Sequence, residues 1–344
     1  MKKNIIIGIS GLETSNVITK TFNLNVFGGR PDLSILWNYK QFFYLHGDFY
    51  FLVQRNASSL CLFSLNKYDD LIQQFCYLKK YEESDNKCPI IINPHLNGVI
   101  YANFKTDDSK TRTKVSFDNG KTFNPLVLEG QSVSSLKYDS WIELDFICSM
   151  ELQNHNFQEA WIVKFDGTYH RKGLSSHHTF ISLNGGKSWK MLHAQIDNFI
   201  VLNHGGLIFG SEIGTSNIKF SFNEGINWNT KNIWAKKVIG IKPLQFPDNL
   251  AIAAIHYKED THTYYLFIYN FSSIFSILSL IIEQICKITD FKAWHVPRYF
   301  QNCFQGQQIS YLKKKSQLIC MDNRTIIQQD IKTCPCFLLD FPWY

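Results

Sequence analysis

Three copies of one short pattern constrain the fold more than any other feature of the chain. They read Ser116-Phe117-Asp118-Asn119-Gly120-Lys121-Thr122-Phe123, Ser182-Leu183-Asn184-Gly185-Gly186-Lys187-Ser188-Trp189 and Ser221-Phe222-Asn223-Glu224-Gly225-Ile226-Asn227-Trp228. The shared form is Ser, any residue, Asp or Asn, any residue, Gly, two more, then Phe or Trp. The Asp or Asn side chain is expected to accept backbone N–H groups two residues on and so close a tight turn. The Gly takes the positive φ that such a turn demands. The aromatic follows the turn and can tuck against the hairpin. Strand-prone runs, Thr113 to Val115, His178 to Ile181 and Ile218 to Phe220, lead into each Ser. Each copy therefore predicts a clasped β-hairpin. A decayed fourth copy, Ser64-Leu65-Asn66-Lys67-Tyr68, carries Tyr68 in place of the Gly. Successive copies lie about 40 to 65 residues apart, the interval of one supersecondary unit repeated as a blade.

The rest of the chain reads the same way. Gln41 to Val53 is rich in aromatics around a His46-Gly47-Asp48 turn, which suits inner strands. Gly98 to Phe104 forms a strand entered through a tight turn, and Phe199 to Leu202 faces Leu207 to Gly210 across His204-Gly205-Gly206. Further strands are expected at Ala160 to Phe165, Val238 to Ile241, Leu250 to Ile255 and Tyr264 to Tyr269. No stretch before Ser279 keeps a helical period. The fold class is all-β, and the repeats specify a propeller over a sandwich. Phe271 to Ile282 is apolar but shorter than the ~20 residues of a membrane span; it reads as a buried strand leading into a short helix.

Composition sets the function classes. With 344 residues, 45% hydrophobic and 15% aromatic, disorder is excluded. The net charge of +6 is spread thinly, and Lys313-Lys314-Lys315 is the longest basic run. That run reads as a solvated loop, and no nucleic-acid partner is expected. Of nine cysteines, five (Cys286, Cys303, Cys320, Cys334 and Cys336) crowd the C-terminal end. Paired Cys-x-x-Cys knuckles are missing, so the tail reads as a disulfide module of an oxidising compartment, with no metal and no cofactor. Glycosylation acceptors at Asn56, Asn270 and Asn323 fit a lumenal chain. Met1-Lys2-Lys3 precedes only a short apolar stretch, Ile5 to Ile9, which is no secretory signal. A disulfide-rich tail beside such a start is most simply resolved if the chain is part of a longer parent.

The repeated turn resembles the Asp-box of sialidases and sortilin-type receptors, and the chain from about residue 40 onward is similar to the lumenal region of the sortilin family. Beyond the boxes, the likeness rests on Gly98-Val99-Ile100-Tyr101, Phe180-Ile181-Ser182, Ser188-Trp189-Lys190-Met191-Leu192, Gly205-Gly206-Leu207-Ile208 and Ile218-Lys219-Phe220-Ser221. In the tail it rests on Cys286, Asp290-Phe291, Trp294, Cys303, Leu312, Cys320, Asn323-Arg324, Cys334-Pro335-Cys336 and Leu339-Asp340-Phe341. The resemblance implies a ten-bladed propeller, of which residues 1–278 supply roughly the last four blades and a fragment, followed by a cysteine-rich module over 279–344. It implies disulfides Cys286–Cys320 and Cys303–Cys334, with Cys336 pairing beyond Tyr344. It also implies peptide or protein cargo held in the propeller tunnel, with Phe42 and Phe43 where the family has lining aromatics. The parent would face the lumen of Golgi and endosomes, anchored only through a span missing from this chain. The family's carboxylate-gripping arginine falls before Met1, and Asn227 stands where the family has a cysteine. Cys148 matches a family cysteine without an identified partner, and Cys61, Cys76 and Cys88 have no family counterpart.

A sialidase-type glycosidase is the enzymatic alternative. It needs three arginines around a carboxylate and a Tyr–Glu pair. The six arginines here, Arg30, Arg55, Arg112, Arg171, Arg298 and Arg324, are scattered along the chain. Asp145 and Asp166 could be named as paired carboxylates, but nothing singles them out. A truncated product without activity, or a decoy, is a further alternative. The favoured reading is a binding protein and not an enzyme: the ligand-binding region of a sorting receptor that moves cargo between Golgi, endosome and lysosome or vacuole.

Overall fold

A computed structural model describes residues 4–10, 17–23, 38–56, 59–65, 71–82, 86–106, 110–130, 140–148, 156–192, 196–215, 217–232, 237–244, 250–271, 285–299, 302–324, 327 and 329–336. Within them the regular structure is β-strand, joined by turns and short 3-10 segments. The two strands β1 (Asn4–Ser10) and β2 (Val17–Asn23) form an antiparallel hairpin. Five antiparallel meanders then follow in chain order.

The first meander is β3 (Tyr39–Leu45), β4 (Asp48–Asn56), β5 (Ser59–Leu65) and β6 (Leu71–Leu78). The second is β7 (Ile90–Ile92), β8 (Ile100–Lys105), β9 (Thr111–Ser116) and β10 (Asn124–Pro125). One backbone pairing, Leu78 with Phe104, joins these two into a single sheet. The third is β11 (Ser140–Leu144), β12 (Val163–Arg171), β13 (Leu174–Ser182) and β14 (Lys190–Leu192). The fourth is β15 (Ile196–Leu202), β16 (Leu207–Glu212), β17 (Asn217–Ser221) and β18 (Asn229–Asn232). The fifth has three described strands, β19 (Lys237–Leu244), β20 (Ala251–Lys258) and β21 (Thr263–Asn270). A last sheet, β22 (Phe291–His295), β23 (Cys303–Phe304), β24 (Gln307–Lys314) and β25 (Gln329–Thr333), belongs to the cysteine-rich tail.

The strands alternate because each sheet must bury one face and, in the middle of the stack, both. β12 shows the alternation along its length, and β8 is buried through its first four residues. The cores lie between consecutive meanders. Tyr50, Leu62, Ile90 and Ile100 join the first to the second. Tyr101, Phe165, Trp189 and Ile208 belong to one cluster across the second, third and fourth. Leu207, Phe209, Ile252 and Phe271 join the fourth to the fifth. Sheets that lean on one another in sequence order are the arrangement of propeller blades.

Polar staples bind the same neighbours. Thr113 Oγ1 accepts the N–H of Leu144 at 2.7 Å, and Thr179 Oγ1 accepts that of Ile196 at 3.0 Å. Each threonine thus holds the first strand of the following meander. Each also donates to its cross-strand partner, Thr113 to Asn103 Oδ1 and Thr179 to Asp166 Oδ1. Both threonines sit three residues before a box serine. The same position is Cys61 in the first meander and Ile218 in the fourth.

Two disulfides brace this part. Cys61 on β5 pairs with Cys76 on β6, and Cys88 before β7 pairs with Cys148 after β11. The four cysteines without assigned partners in the sequence reading therefore satisfy one another. Their pairing followed from strand register, which family resemblance did not carry. The apolar run expected from Phe271 onward lies outside the described residues after Phe271 itself, as do Asn66 to Tyr68 of the decayed box.

Candidate functional site

Each box links the third and fourth strands of its meander, and its clasp is built by two side chains. Ser116 Oγ accepts the N–H of Gly120 at 2.8 Å and donates to Asp118 Oδ1 at 2.7 Å. Asp118 Oδ1 accepts the N–H of Thr122 at 2.9 Å. In the second box Ser182 Oγ accepts from Gly186 N–H at 2.8 Å, and Asn184 Oδ1 accepts from Ser188 N–H at 2.9 Å. In the third, Ser221 Oγ accepts from Gly225 N–H at 2.8 Å, and Asn223 Oδ1 accepts from Asn227 N–H at 2.9 Å. The acidic or amide side chain thus reaches four residues on, not two. The serine, placed at the strand end, takes the nearer N–H groups itself, which leaves the longer side chain to span the turn.

Two successive left-handed residues make the corner: Asn119 and Gly120, Gly185 and Gly186, Glu224 and Gly225. The closing aromatics differ in fate. Trp189 is fully buried and its indole N–H donates to Gly186 O at 3.1 Å. Phe123 packs edge-on against Phe75 and Phe104. Trp228, partly buried, lines a cavity of about 690 Å3 with Trp189, Met191, Ile226, Lys190 and Lys219.

The boxes do not converge on one another. They share a partner, because the cysteine-rich tail reaches all three. Arg298 donates to Phe117 O at 3.0 Å and Tyr299 to Val115 O at 2.8 Å, at the first box. Lys313 Nζ donates to Leu183 O at 2.8 Å in the second and pairs with Glu224 Oε2 at 3.1 Å in the third. Trp294 and Tyr311 pack on Trp161 beneath the second box. Lys313 and Lys314 are buried on β24, so the basic run is a strand element and not a solvated loop. Burial pushes both amines below the ordinary lysine range, Lys313 against the opposing pull of Glu224. Lys313 stays anchored because it gains a carboxylate and a carbonyl that would otherwise be buried unpaired.

The tail is stapled by Cys286–Cys320 and Cys303–Cys334, and Cys336 is unpaired and exposed. A second tie joins this tail to the fourth meander. Asn203 Nδ2 donates to Cys320 O at 2.9 Å, and Asn203 Oδ1 accepts Asp322 N–H at 2.6 Å. The neighbouring His204 sits between Glu159 and Arg324 O.

Phe42 and Phe43 lie on β3, the terminal strand of its sheet. Alternation sends them opposite ways: Phe42 is 39% exposed, whereas Phe43 stacks on Tyr50 at 5.3 Å. Tyr44 is exposed too, and its ring lies 4.9 Å from that of Phe49. Asn270 and Asn323 are exposed, and Asn56 ends β4. Asp145 is engaged by Lys87 at 2.6 Å and Asp166 by Lys164 at 2.7 Å, so neither stands as a free acid or base. Among the described residues no helix is long and apolar enough to cross a membrane.

Comparison with known families places the tail. Residues 249–342 match the family model described as sortilin, neurotensin receptor 3, C-terminal. The C-terminal part of the chain belongs to the sortilin family. The match opens just before β20, so it takes in β20, β21 and the cysteine-rich sheet together. Sortilin-family relatives extend the likeness toward the N-terminus. The vacuolar protein sorting/targeting protein 10 of Talaromyces stipitatus is 23% identical over 269 residues, covering 73% of this chain and 17% of that protein. Sortilin of Danio rerio is 20% identical over 270 residues, covering 72% of this chain and 33% of that protein. The human VPS10 domain-containing receptor SorCS2 is 25% identical over 169 residues, covering 47% of this chain and 14% of that protein. The chain thus spans about a sixth of the fungal sortilin relative and a third of the fish one. These relatives are named as sorting proteins and receptors, which fits a binding role and not an enzymatic one.

Sequence reasoning had no route to the collar of contacts on the boxes. The signals were present but mute: a threonine three residues before two box serines, and Glu224 where Asn or Gly is expected at positive φ.

Proposed function

We propose that the chain is the lumenal ligand-binding region of a sortilin-type sorting receptor that carries protein cargo between Golgi, endosome and lysosome or vacuole. Residues 1–278 form an arc of a ten-bladed propeller and 279–344 its first cysteine-rich module. What carries the reading is the union of three clasped meanders with a disulfide-stapled sheet that matches the sortilin C-terminal model. Among the described residues β3 ends its sheet, and a strand in that place suits an extended peptide, which adds through its main chain while exposed aromatics hold its side chains. Phe42 is the contact residue of the pair, and Phe43 supports it from the core side. Asn56, Asn270 and Asn323 carry glycans, and Cys336 pairs outside this chain.

Cells lacking the parent gene test the reading. A soluble vacuolar or lysosomal hydrolase is followed in the medium and in the cells. Missecretion is expected, and restoration by the parent but not by a parent with Phe42→Ser assigns the edge. Normal retention of every hydrolase tested would sink the receptor reading.

A further inference from the structure

His204 stands at a backbone position of unusual strain. Asn203, His204 and Gly205 follow one another in the left-handed region, with φ of 52°, 49° and 94°. Two of the three carry a Cβ, and such conformations persist only where the surroundings hold them. What holds this turn is the tail. Asn203 grips the backbone at Cys320 and Asp322, and His204 lies between two elements. Its Nδ1 is 2.8 Å from Glu159 Oε1, on the loop before β12. Its Nε2 is 2.7 Å from the carbonyl oxygen of Arg324, in the cysteine-rich segment.

Both partners are acceptors. A carboxylate at neutral pH and a peptide carbonyl have no proton to give. A neutral imidazole carries one N–H and can serve one of them, while its other nitrogen sets a lone pair against an oxygen. Only the imidazolium satisfies both at once. We propose that His204 is a proton-operated fastener, closed when doubly protonated, between the β15–β16 turn and the cysteine-rich tail.

The surrounding charges support the closed form. Glu159 faces the ring from the third meander and Asp322 from the tail. The guanidinium of Arg324 is taken up by Asp322, at 2.6 and 2.8 Å, and Lys314, whose side chain passes beside Gly206, gives its amine to Leu318 O at 2.6 Å. Glu159, burial acting against it, moves the His204 pKa above its ordinary 6.5. A raised folded pKa means that the contribution is fully present below 6.5 and is lost as pH rises through the folded value. The fastener therefore closes on acidification and loosens toward neutral and alkaline pH. It does not depend on what cargo the chain binds.

The test uses the full chain. The two ring nitrogens of His204 are followed by heteronuclear NMR across the pH range, assigned by comparison with His204→Gln. Hydrogen-exchange protection of the amides at residues 320–324 is measured in parallel, corrected for intrinsic rate. The expected result is an imidazolium with both nitrogens protonated above pH 6.5. Protection should fall on the order of tenfold between about pH 6 and about pH 8.5, as one charge-assisted bond is lost. His204→Gln should be weakly protected with no pH step, and Glu159→Gln should move the step to lower pH. A His204 titrating at or below 6.5 overturns the proposal. So does a pH step that survives in His204→Gln.

Discussion

Lys313 of the cysteine-rich sheet lies 3.1 Å from Glu224, at the left-handed corner of the third box, and donates to Leu183 of the second at 2.8 Å. One buried amine therefore ties two repeats to the tail. Lys313→Met would strand the largely buried Glu224 carboxylate, a change that costs about 3–5 kcal/mol when a buried pair loses one member. Pairing it with Glu224→Met should return most of that loss. Denaturant midpoints of the two variants decide the matter; equal loss in both would mean that the charge pair is not what anchors the sheet.

The box glycines separate backbone strain from crowding. A Cβ on Gly225 would meet only Trp228, at 3.5 Å, an ordinary contact. Gly225→Ala should then cost about 1–2 kcal/mol for its positive φ alone. A Cβ on Gly186 would collide with the buried hydroxyl of Tyr101. Gly186→Ala should cost about 1–3 kcal/mol more, since Tyr101 has no space to yield. Thermal denaturation of the two proteins side by side gives the ranking.

The threonine staples make a prediction about neighbours. Thr179→Val keeps the shape but leaves the buried N–H of Ile196 and one oxygen of Asp166 without their partner. The expected loss is about 1–3 kcal/mol. Ile218, at the equivalent place in the fourth meander, takes part in no such staple. Ile218→Val should cost about 1 kcal/mol from lost methylene packing. Exchange protection at Ile196 is the direct readout, and its survival in Thr179→Val would remove the staple from the account.

The two disulfides among the meanders close loops of different length. Cys61 and Cys76 are 15 residues apart, Cys88 and Cys148 60. In the chain-entropy description, removing the first costs about 3 kcal/mol and the second about 4 kcal/mol. Double serine variants compared by thermal melting test the order. Peptide mapping under non-reducing conditions tests the pairing itself.

His46 should respond to pH with the opposite sign to His204. Its Nε2 donates to Asn93 O at 2.8 Å. Burial, with His95 and Arg298 nearby, lowers its pKa below 6.5 despite that bond. A depressed folded value means the unfolded chain binds the proton first, so stability falls as pH drops below 6.5 toward the folded value. Melting of the wild-type chain and of His46→Gln at about pH 5 and about pH 7 should differ, with the variant the less sensitive.

The repeat units were legible in the sequence because local chemistry fixes them. A serine, an acid or amide and a glycine at set distances make the same corner wherever they occur, and strands before and after follow. The tail disulfides were legible only through resemblance. The Cys61–Cys76 and Cys88–Cys148 pairs were not, because pairing depends on which strands lie side by side. The run Lys313 to Lys315 misled for a related reason: charge predicts exposure until a buried carboxylate and carbonyls wait for it. His204 looked like a turn residue, and the grip that it and Asn203 have on the tail, over a hundred residues away, has no local signature.

The lone Leu78–Phe104 pairing has a mechanical consequence. The first two meanders share a continuous hydrogen-bonded backbone, reinforced by Lys79 N–H donating to Asn103 O at 2.9 Å. The second and third are joined by the short bridges Lys87–Ile147 and Leu128–Trp189 and by the Cys88–Cys148 disulfide, whereas the third holds the fourth through side chains, Thr179 on Ile196 and Gln158 on Phe199 and Val201. A load applied at the N-terminal end would pass through the ladder and the Cys88–Cys148 disulfide into the third meander before reaching a joint able to slip. Such a chain yields first where its sheets merely touch, so the leading three would travel as one plate while those behind fan apart.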